Sequence, residues 1–121
     1  HPVARLTLAG GFAKMAKLAA GHLDLHSSRS RVDGSGLARM LAELGADDRT
    51  LATAGAADSA AALLESAAAW RAGLAEGVAR QAREVALATL SGDTLVEVAI
   101  VDRAGGFLAR VGADTEAGGR A

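Results

Sequence analysis

Alternating and continuous apolar runs predict three β-strands, one at the start of the chain and two near its end. In residues 4–9, two leucines alternate with polar or small neighbours, which is typical of a half-buried strand. Residues 95–101 are almost entirely apolar and rich in valine, which is typical of a buried strand. A glycine-containing turn over 102–106 leads into a shorter strand over 107–111. The last two strands therefore form a predicted hairpin.

Between the strands, apolar residues recur with the 3.6-residue period of amphipathic helices. The predicted helices cover residues 12–20, residues 35 or 36 to 44, residues 60–73 and residues 74–90, with Asp58 or Ser59 as the N-cap of the third. The predicted core-facing stripe of the second helix is Leu37, Met40, Leu41 and Leu44. Residues 47–55 give a mixed pattern, whereas the serine, glycine and aspartate content of residues 22–33 favours a loop.

This order of elements predicts an α/β fold. A strand that several helices separate from the next strand points to a crossover connection between parallel strands, and the final hairpin adds an antiparallel edge. Three strands make a thin sheet for so many helices, so we expect the chain to belong to a larger layered sheet with further strands upstream. The start at His1, only a few residues before a strand, favours the same interpretation. We predict one domain over residues 1–112 and a flexible tail over residues 113–121.

Composition narrows the classes of function. The apolar residues are mainly alanine, leucine and valine, with only 2% aromatic residues, which suits helices packed on a sheet. A net charge of −1 and the lack of a basic run argue against a nucleic-acid partner. The chain has no cysteine, which excludes a disulfide framework and a thiolate metal site within it. No apolar stretch approaches the roughly 20 residues of a membrane-spanning helix, so we expect a soluble chain with no membrane partner.

The first candidate site is the glycine pair Gly10 and Gly11 between a predicted strand and a predicted helix. Free backbone N–H groups at such a helix start can hold an anion. Lys14 and Lys17 lie three residues apart on one face of that helix, so together they can bind carboxylates. The alternatives are tight packing at the glycines and an ordinary solvated face for the lysines.

The second candidate group is a short run of histidines, an aspartate and a serine. His22, Asp24 and His26 alternate, so in an extended segment their side chains point to one side. A metal site has no known motif with this spacing, so we predict no metal and assign His26 a general acid–base or substrate-contact role. Ser27 follows His26 directly, but no nucleophile elbow surrounds it, so we reject a hydrolase.

Asp102 is a weaker candidate. It follows the longest predicted strand, and a carboxylate at the carboxyl end of a strand can face a ligand crevice. The simpler interpretation is that Asp102 opens the hairpin turn, and we favour it.

The segment RLTLAGGFAKMAKLAAGHLDLHSSRSRVD resembles a signature of the cobalt-precorrin-5B C1-methyltransferase (CbiD) family, in which glycine, two lysines three apart, Leu-Ala-x-Gly and a His-Ser pair follow in order. The matching positions are Gly11, Lys14, Lys17, Leu18, Ala19, Gly21, His26 and Ser27. The later run VEVAIVDRAG resembles the closing strand and turn of the family, with Asp102 and Gly105 in place. The chain departs from the family where A-N-T-A opens a helix, because Asp58 and Ser59 replace the asparagine and threonine.

The resemblance implies the C-terminal portion of a cytoplasmic enzyme that transfers a methyl group from S-adenosylmethionine to C1 of cobalt-precorrin-5B, forming cobalt-precorrin-6A in anaerobic cobalamin biosynthesis. It implies a cobalt-bound corrin precursor and the N-terminal portion of the same enzyme as partners, and leaves a homo-oligomer open. Because corrin precursors carry several carboxylates, our hypothesis is that Gly10, Gly11, Lys14 and Lys17 hold them, with His26 and Ser27 near the macrocycle. Two other hypotheses stay open: a non-catalytic substrate-binding or dimerisation module, and an unrelated phosphate-binding α/β domain.

Overall fold

A computed structural model of the chain describes residues 4–21, 34–90 and 94–112. The elements are β1 (Arg5–Gly10), α1 (Phe12–Ala19), α2 (Gly34–Leu44), α3 (Asp48–Gly55), α4 (Ala60–Ser66), α5 (Arg71–Thr89), β2 (Leu95–Val101) and β3 (Phe107–Val111), with a short 3₁₀ turn, Ala68–Trp70, between α4 and α5. The predicted loop over residues 22–33 and the predicted tail over residues 113–121 lie outside the described residues. Within the described ranges, no helix combines the length and apolarity that crossing a membrane requires.

The three strands form one mixed sheet in the order β1-β2-β3. β1 pairs with β2 in parallel, from Arg5 opposite Leu95 to Gly10 opposite Ile100. β2 pairs with β3 in antiparallel fashion, with an irregularity between Ile100 and Val101. The predicted α/β class, the crossover and the final hairpin are therefore confirmed.

One face of the sheet carries the hydrophobic core. Val96, Val98 and Ile100 alternate along β2, are fully buried and lie in the same cluster as Leu74 and Val78 of α5. α5 packs on both β2 and β3, and α1 packs on α5. Because successive strand residues point to opposite faces, this arrangement fixes which side of β2 meets the helices.

The other face of the sheet carries a buried acidic residue. Glu97 is 8% exposed and lies opposite Thr7 in the β1–β2 ladder. Its Oε2 accepts a 2.6 Å hydrogen bond from Arg110 Nε, and its Oε1 accepts a 3.3 Å bond from the Thr7 hydroxyl. These two hydrogen bonds supply partners to a carboxylate whose burial without them would be costly. Because they come from β1 and β3, they also link all three strands.

Helix boundaries differ from prediction in two places. Residues 48–55, which gave a mixed pattern, form α3, capped by the Asp47 side chain, which accepts a 2.8 Å bond from Thr50 N. The predicted end of a helix near Gly73 is wrong, because the break lies at Ala67–Trp70 and Gly73 is inside α5. Ala68 has φ 52, in the left-handed region that L residues seldom adopt, and this turn interrupts the helical path.

The predicted stripe of α2 is confirmed at Leu37 and Leu41, which are 4% and 0% exposed. It is wrong at Leu44, which is 42% exposed. Leu44 is the last residue of α2, so its side chain lies at the margin of the core, against Gly73 of α5.

The Asp47 cap predicts a pH dependence of stability. Hydrogen bonds from the Thr50 side chain and backbone lower the pKa of Asp47 below its usual value of 3.8. A lowered pKa in the folded state stabilises the fold above the unfolded-state pKa, and this contribution disappears as the pH falls through the folded-state pKa. We therefore expect Asp47→Asn, which keeps the accepting oxygen but does not titrate, to lose less thermal stability between pH 6 and pH 2.5 than the wild type.

Thermal unfolding followed by circular dichroism at the two pH values measures this difference. Asp58→Asn is the matched control, since Asp58 is an exposed carboxylate next to a helix that Ser59 caps. A control that behaves like Asp47→Asn, or an Asp47→Asn variant as acid-sensitive as the wild type, would contradict the capping account.

Candidate functional site

The carboxyl ends of β1 and β2 lie side by side, because these strands are parallel neighbours. In α/β sheets, ligands commonly bind outside this edge. β1 ends at Gly10, Gly11 follows as the N-cap of α1, and β2 ends at Val101 before the turn that contains Asp102. The fold thus brings together the predicted glycine pair and the predicted Asp102.

The two glycines matter because they lack a side chain, and not because their backbone angles would exclude other residues. Gly11 has φ −75 and ψ 168, an extended conformation open to any residue, and a Cβ added there would meet no atom within 4 Å. At Gly10, an added Cβ would lie 3.2 Å from Met15 Cε and 3.4 Å from Lys14 Cδ. Gly10 therefore permits close packing of α1 on β1, whereas Gly11 leaves the space before the helix open.

The start of α1 is an uncapped positive helix end. Gly11 offers no side-chain cap, and the first turn contains no acidic residue. The backbone bond from Met15 N to Gly11 O opens the helix, so the preceding N–H groups of residues 12–14 have no acceptor within it. Such N–H groups and the helix dipole favour an anion.

Lys14 and Lys17 lie on the outer face of α1. Lys14 is exposed and Lys17 is half-buried, while Phe12, Met15 and Ala16 on the opposite side are buried. Among the described residues, neither lysine has an ion-pair partner. Both are therefore available to a negatively charged ligand, and their binding role stays a prediction.

A cleft of about 700 Å³ opens at the same edge of the sheet. We call it the strand-end cleft. It is bordered by the start of α1, by α4, by the start of α5 and by the β2–β3 turn, and its lining includes Gly11, Ala13, Leu64, Arg71, Asp102 and Arg103. The cleft thus joins the uncapped helix end to two arginines that the sequence did not single out.

Arg71 is the most unusual of these side chains. Its Nη2 lies 3.5 Å from Glu65 Oε2, and the two side chains are 40% and 74% exposed. Its Nε is buried and has no hydrogen-bond partner among the described residues. A buried guanidinium nitrogen without an acceptor is costly. The exposed part of the same side chain lines the cleft, where a ligand can contact it. An arginine inside an alanine-rich stretch gives no sequence signal of such a role.

The hydrogen bonds of Asp102 agree with its predicted role at the start of the hairpin turn. Its Oδ1 accepts bonds of 2.9 Å from Ala104 N and from Gly106 N, and the Asp102 N–H donates to Gly106 O at 2.9 Å. Asp102 thus builds the hairpin turn and also lines the strand-end cleft.

The remaining predicted site residues fall into two groups. Asp58 is exposed, and the neighbouring Ser59 is the N-cap of α4, accepting a 3.1 Å bond from Ala62 N. His22, Asp24, His26 and Ser27 lie outside the described residues, so their roles stay predictions. Within the described ranges, no three histidine, aspartate or glutamate side chains cluster as metal ligands.

A second cavity, of about 340 Å³, lies between α1, α2 and α5. Its charged lining residues are Arg39 and Glu43, which have opposite signs. It lies away from the carboxyl ends of the strands and includes no part of the uncapped start of α1. We therefore place the candidate site at the strand-end cleft.

Comparison with known proteins identifies the family. Residues 24–112 match the family model described as CbiD, C-terminal domain. A cobalt-precorrin-5B C(1)-methyltransferase of Paramagnetospirillum magneticum is 49% identical over 106 residues, which are 87% of this chain and 29% of that protein. Proteins of the same name from Rhodospirillum rubrum and Brucella anthropi are 47% and 45% identical, over 87% and 92% of this chain and 30% of each relative. No solved structure gives a significant match.

The alignments with these relatives also cover the start of α1. An alignment of 112 residues is longer than the stretch from residue 24 to residue 121, so it extends upstream of the family-model match into α1. The chain spans about 30% of the length of the relatives it matches. The resemblance seen in the sequence is confirmed, and the chain belongs to the CbiD family, corresponding to its C-terminal domain.

Proposed function

We propose that this chain is the C-terminal part of an enzyme that methylates C1 of cobalt-precorrin-5B to give cobalt-precorrin-6A in anaerobic cobalamin biosynthesis. The observation that carries the proposal is the 45–49% identity to proteins named cobalt-precorrin-5B C(1)-methyltransferase over most of this chain. The cobalt-bound corrin is the substrate. Cytoplasmic localisation and a homo-oligomer stay predictions.

We assign binding of the substrate carboxylates to this chain. The uncapped start of α1 lines the strand-end cleft. Lys14 and Lys17, which have no ion-pair partner among the described residues, add positive charge on the same helix outside that lining. Corrin precursors carry acetate and propionate side chains around the ring, so several anchoring points are available at once. Anchoring at the ring periphery fixes the orientation of C1, and orientation alone can supply a large part of a methyl-transfer rate.

We propose S-adenosylmethionine as the methyl donor and assign its site to the rest of the enzyme. A nucleoside site of the dinucleotide type needs an acidic side chain near a strand end to bond a ribose hydroxyl. Asp102 occupies such a position, but its Oδ1 is already engaged in the hairpin turn. The described residues therefore fit a carboxylate better than a nucleoside.

The alternative function is a substrate-binding or dimerisation module without catalytic groups of its own. This alternative is favoured by the length of the chain, which spans only about 30% of each relative and so leaves most of the enzyme to supply catalytic groups. An unrelated phosphate-binding domain loses its support, because the chain belongs to the CbiD family.

The first test uses the 121-residue chain alone. We expect it to bind cobyrinic acid, a cobalt corrin with free peripheral carboxylates, about tenfold more tightly than the methyl ester of the same compound, because charge-assisted hydrogen bonds are lost in the ester. We expect no methyl transfer from S-adenosylmethionine to cobalt-precorrin-5B. Isothermal titration calorimetry measures binding, and mass spectrometry of the corrin measures transfer.

Turnover by the chain alone would show that the chain is catalytically complete and would rule out both the module and our placement of the donor site. Equal binding of acid and ester would rule out carboxylate recognition.

A further inference from the structure

Arg71 is held at the strand-end cleft by two structural elements. It is the first residue of α5, directly after the 3₁₀ turn that breaks the path between α4 and α5. The next core residue of α5, Leu74, is fully buried, which fixes the helix start against the core. The Arg71 side chain is therefore attached to a rigid part of the backbone. The sequence instead predicts that this position lies inside one continuous helix.

The polar contacts of Arg71 leave part of the guanidinium unused. Its ion pair with Glu65 joins Nη2 to Oε2 at 3.5 Å, longer than the roughly 2.7–2.9 Å of a charge-assisted hydrogen bond, and Glu65 is 74% exposed. Nε is buried and unpartnered among the described residues. Because the side chain is 40% exposed while Nε is not, a carboxylate in the cleft can accept from the terminal nitrogens of the guanidinium, in one of the bidentate geometries that arginine favours.

The charges around the cleft point to the same kind of ligand. Arg103 of the β2–β3 turn also lines the cleft, and the uncapped start of α1 contributes Gly11 and Ala13. The two acidic residues of the lining are Glu65, which is largely exposed, and Asp102, whose Oδ1 is held by the turn. A carboxylate ligand therefore meets two arginines and a positive helix end.

We propose that Arg71 is a substrate-binding residue that anchors one peripheral carboxylate of the corrin in the strand-end cleft, with Glu65 as its partner in the ligand-free state. This inference rests on the proposed function and adds a second anchoring point to the one on α1. The substrate carboxylate takes the place of Glu65 at the terminal nitrogens of the guanidinium. Arg103 adds positive charge from the β2–β3 turn that also lines the cleft.

The test is calorimetric titration of the chain with cobyrinic acid and with its methyl ester. We expect Arg71→Ala to weaken binding of the acid about fivefold and Arg71→Lys about threefold, because lysine keeps the charge but loses the planar fork. We expect Glu65→Gln to tighten binding about twofold, since it removes the competing carboxylate. Binding of the ester should not change in any of these variants.

Arg80→Ala is the matched control, because Arg80 lies on the same helix, is 61% exposed, and pairs with Glu76 instead of lining the cleft. Circular dichroism melts show whether each variant is folded. A merely structural role for Arg71 predicts lower melting temperatures with unchanged affinity, and no tightening by Glu65→Gln.

The outcomes separate the two proposals. Normal binding of the acid by folded Arg71→Ala and Arg71→Lys overturns the assignment of Arg71 and leaves the proposed function standing. A wild-type chain that does not distinguish acid from ester overturns carboxylate binding by this domain, and the assignment of Arg71 with it.

Discussion

Replacing Gly112 with alanine should lower the free energy of unfolding by about 4 kcal/mol or more, which is most of the stability of a domain at the low end of the usual range of about 5–15 kcal/mol. Gly112 follows β3 with φ +125, a conformation that L residues rarely adopt. A Cβ there would overlap the carbonyl oxygen of Val96 and lie 2.6 Å from Glu97 Cα. These atoms belong to the backbone of the central strand β2, which cannot shift without disturbing the ladders on both sides. Chemical denaturation followed by circular dichroism measures the loss.

Gly55→Ala is the matched control for this substitution. Gly55 ends α3, an added Cβ there would meet nothing within 4 Å, and its φ is not in the left-handed region. We expect a stabilisation of about 0.4–1 kcal/mol, since alanine fits the helical end and restricts the unfolded chain. A Gly112→Ala variant as stable as Gly55→Ala would contradict the close approach of Gly112 to the backbone of β2.

Removing both lysines of α1 should weaken binding of cobyrinic acid about 20-fold without affecting stability. Lys14 and Lys17 face outward, and neither pairs with an acidic residue among those described, so Lys14→Ala with Lys17→Ala removes charge and little packing. Contacts of exposed ammonium groups with carboxylates contribute modestly one by one, but Lys14 in the first turn of α1 and Lys17 in its last turn can act on two carboxylates of the same ligand. The affinity of the wild type should also fall with increasing salt, and that of the double variant less so.

Arg39→Ala with Arg80→Ala is the matched control, because it removes the same total charge from α2 and α5. Arg39 lines the second cavity, so this control also tests the alternative location of the site. Equal weakening in both double variants would mean that only net charge matters. Weakening in the arginine variant alone would move the site to the second cavity.

The strands were predictable because their signal is local. The valine-rich run that ends at Val101, the glycine-containing turn and the short following strand together define a hairpin without reference to the rest of the chain. The parallel pairing of β1 with β2 followed from the helices between them. The larger sheet, with strands upstream of β1, stays a prediction.

The helical region was less predictable, because packing decides its boundaries. Residues 60–73 read as continuous alanine-rich helix, yet Ala68 turns into the left-handed region and begins a new helix axis. This break allows Leu63 of α4 and Leu74 of α5 to enter the same core. α3 lacks a leucine stripe, but Asp47 with Thr50 three residues later was an available capping signal.

The candidate site was predictable in part. Gly11, Lys14 and Lys17 are adjacent in the chain, so a local pattern was enough to group them. Arg71 and Arg103 join the cleft from α5 and from the β2–β3 turn, and only the tertiary fold brings them to the start of α1. The helix end of the site was therefore predictable from the sequence, whereas the two arginines of the cleft were not.

Substrate binding by this domain is tested by methyl transfer in a chimera in which this chain replaces the matching C-terminal portion of the Paramagnetospirillum magneticum relative. At 49% identity over 106 residues, the graft should preserve the contacts between the two portions. We predict that the chimera methylates cobalt-precorrin-5B with S-adenosylmethionine, and that Lys14→Ala with Lys17→Ala lowers kcat/KM about 20-fold, mainly by raising KM. A folded chimera without methyl transfer, or one whose KM ignores both lysines, would contradict the claim that this domain binds the substrate carboxylates.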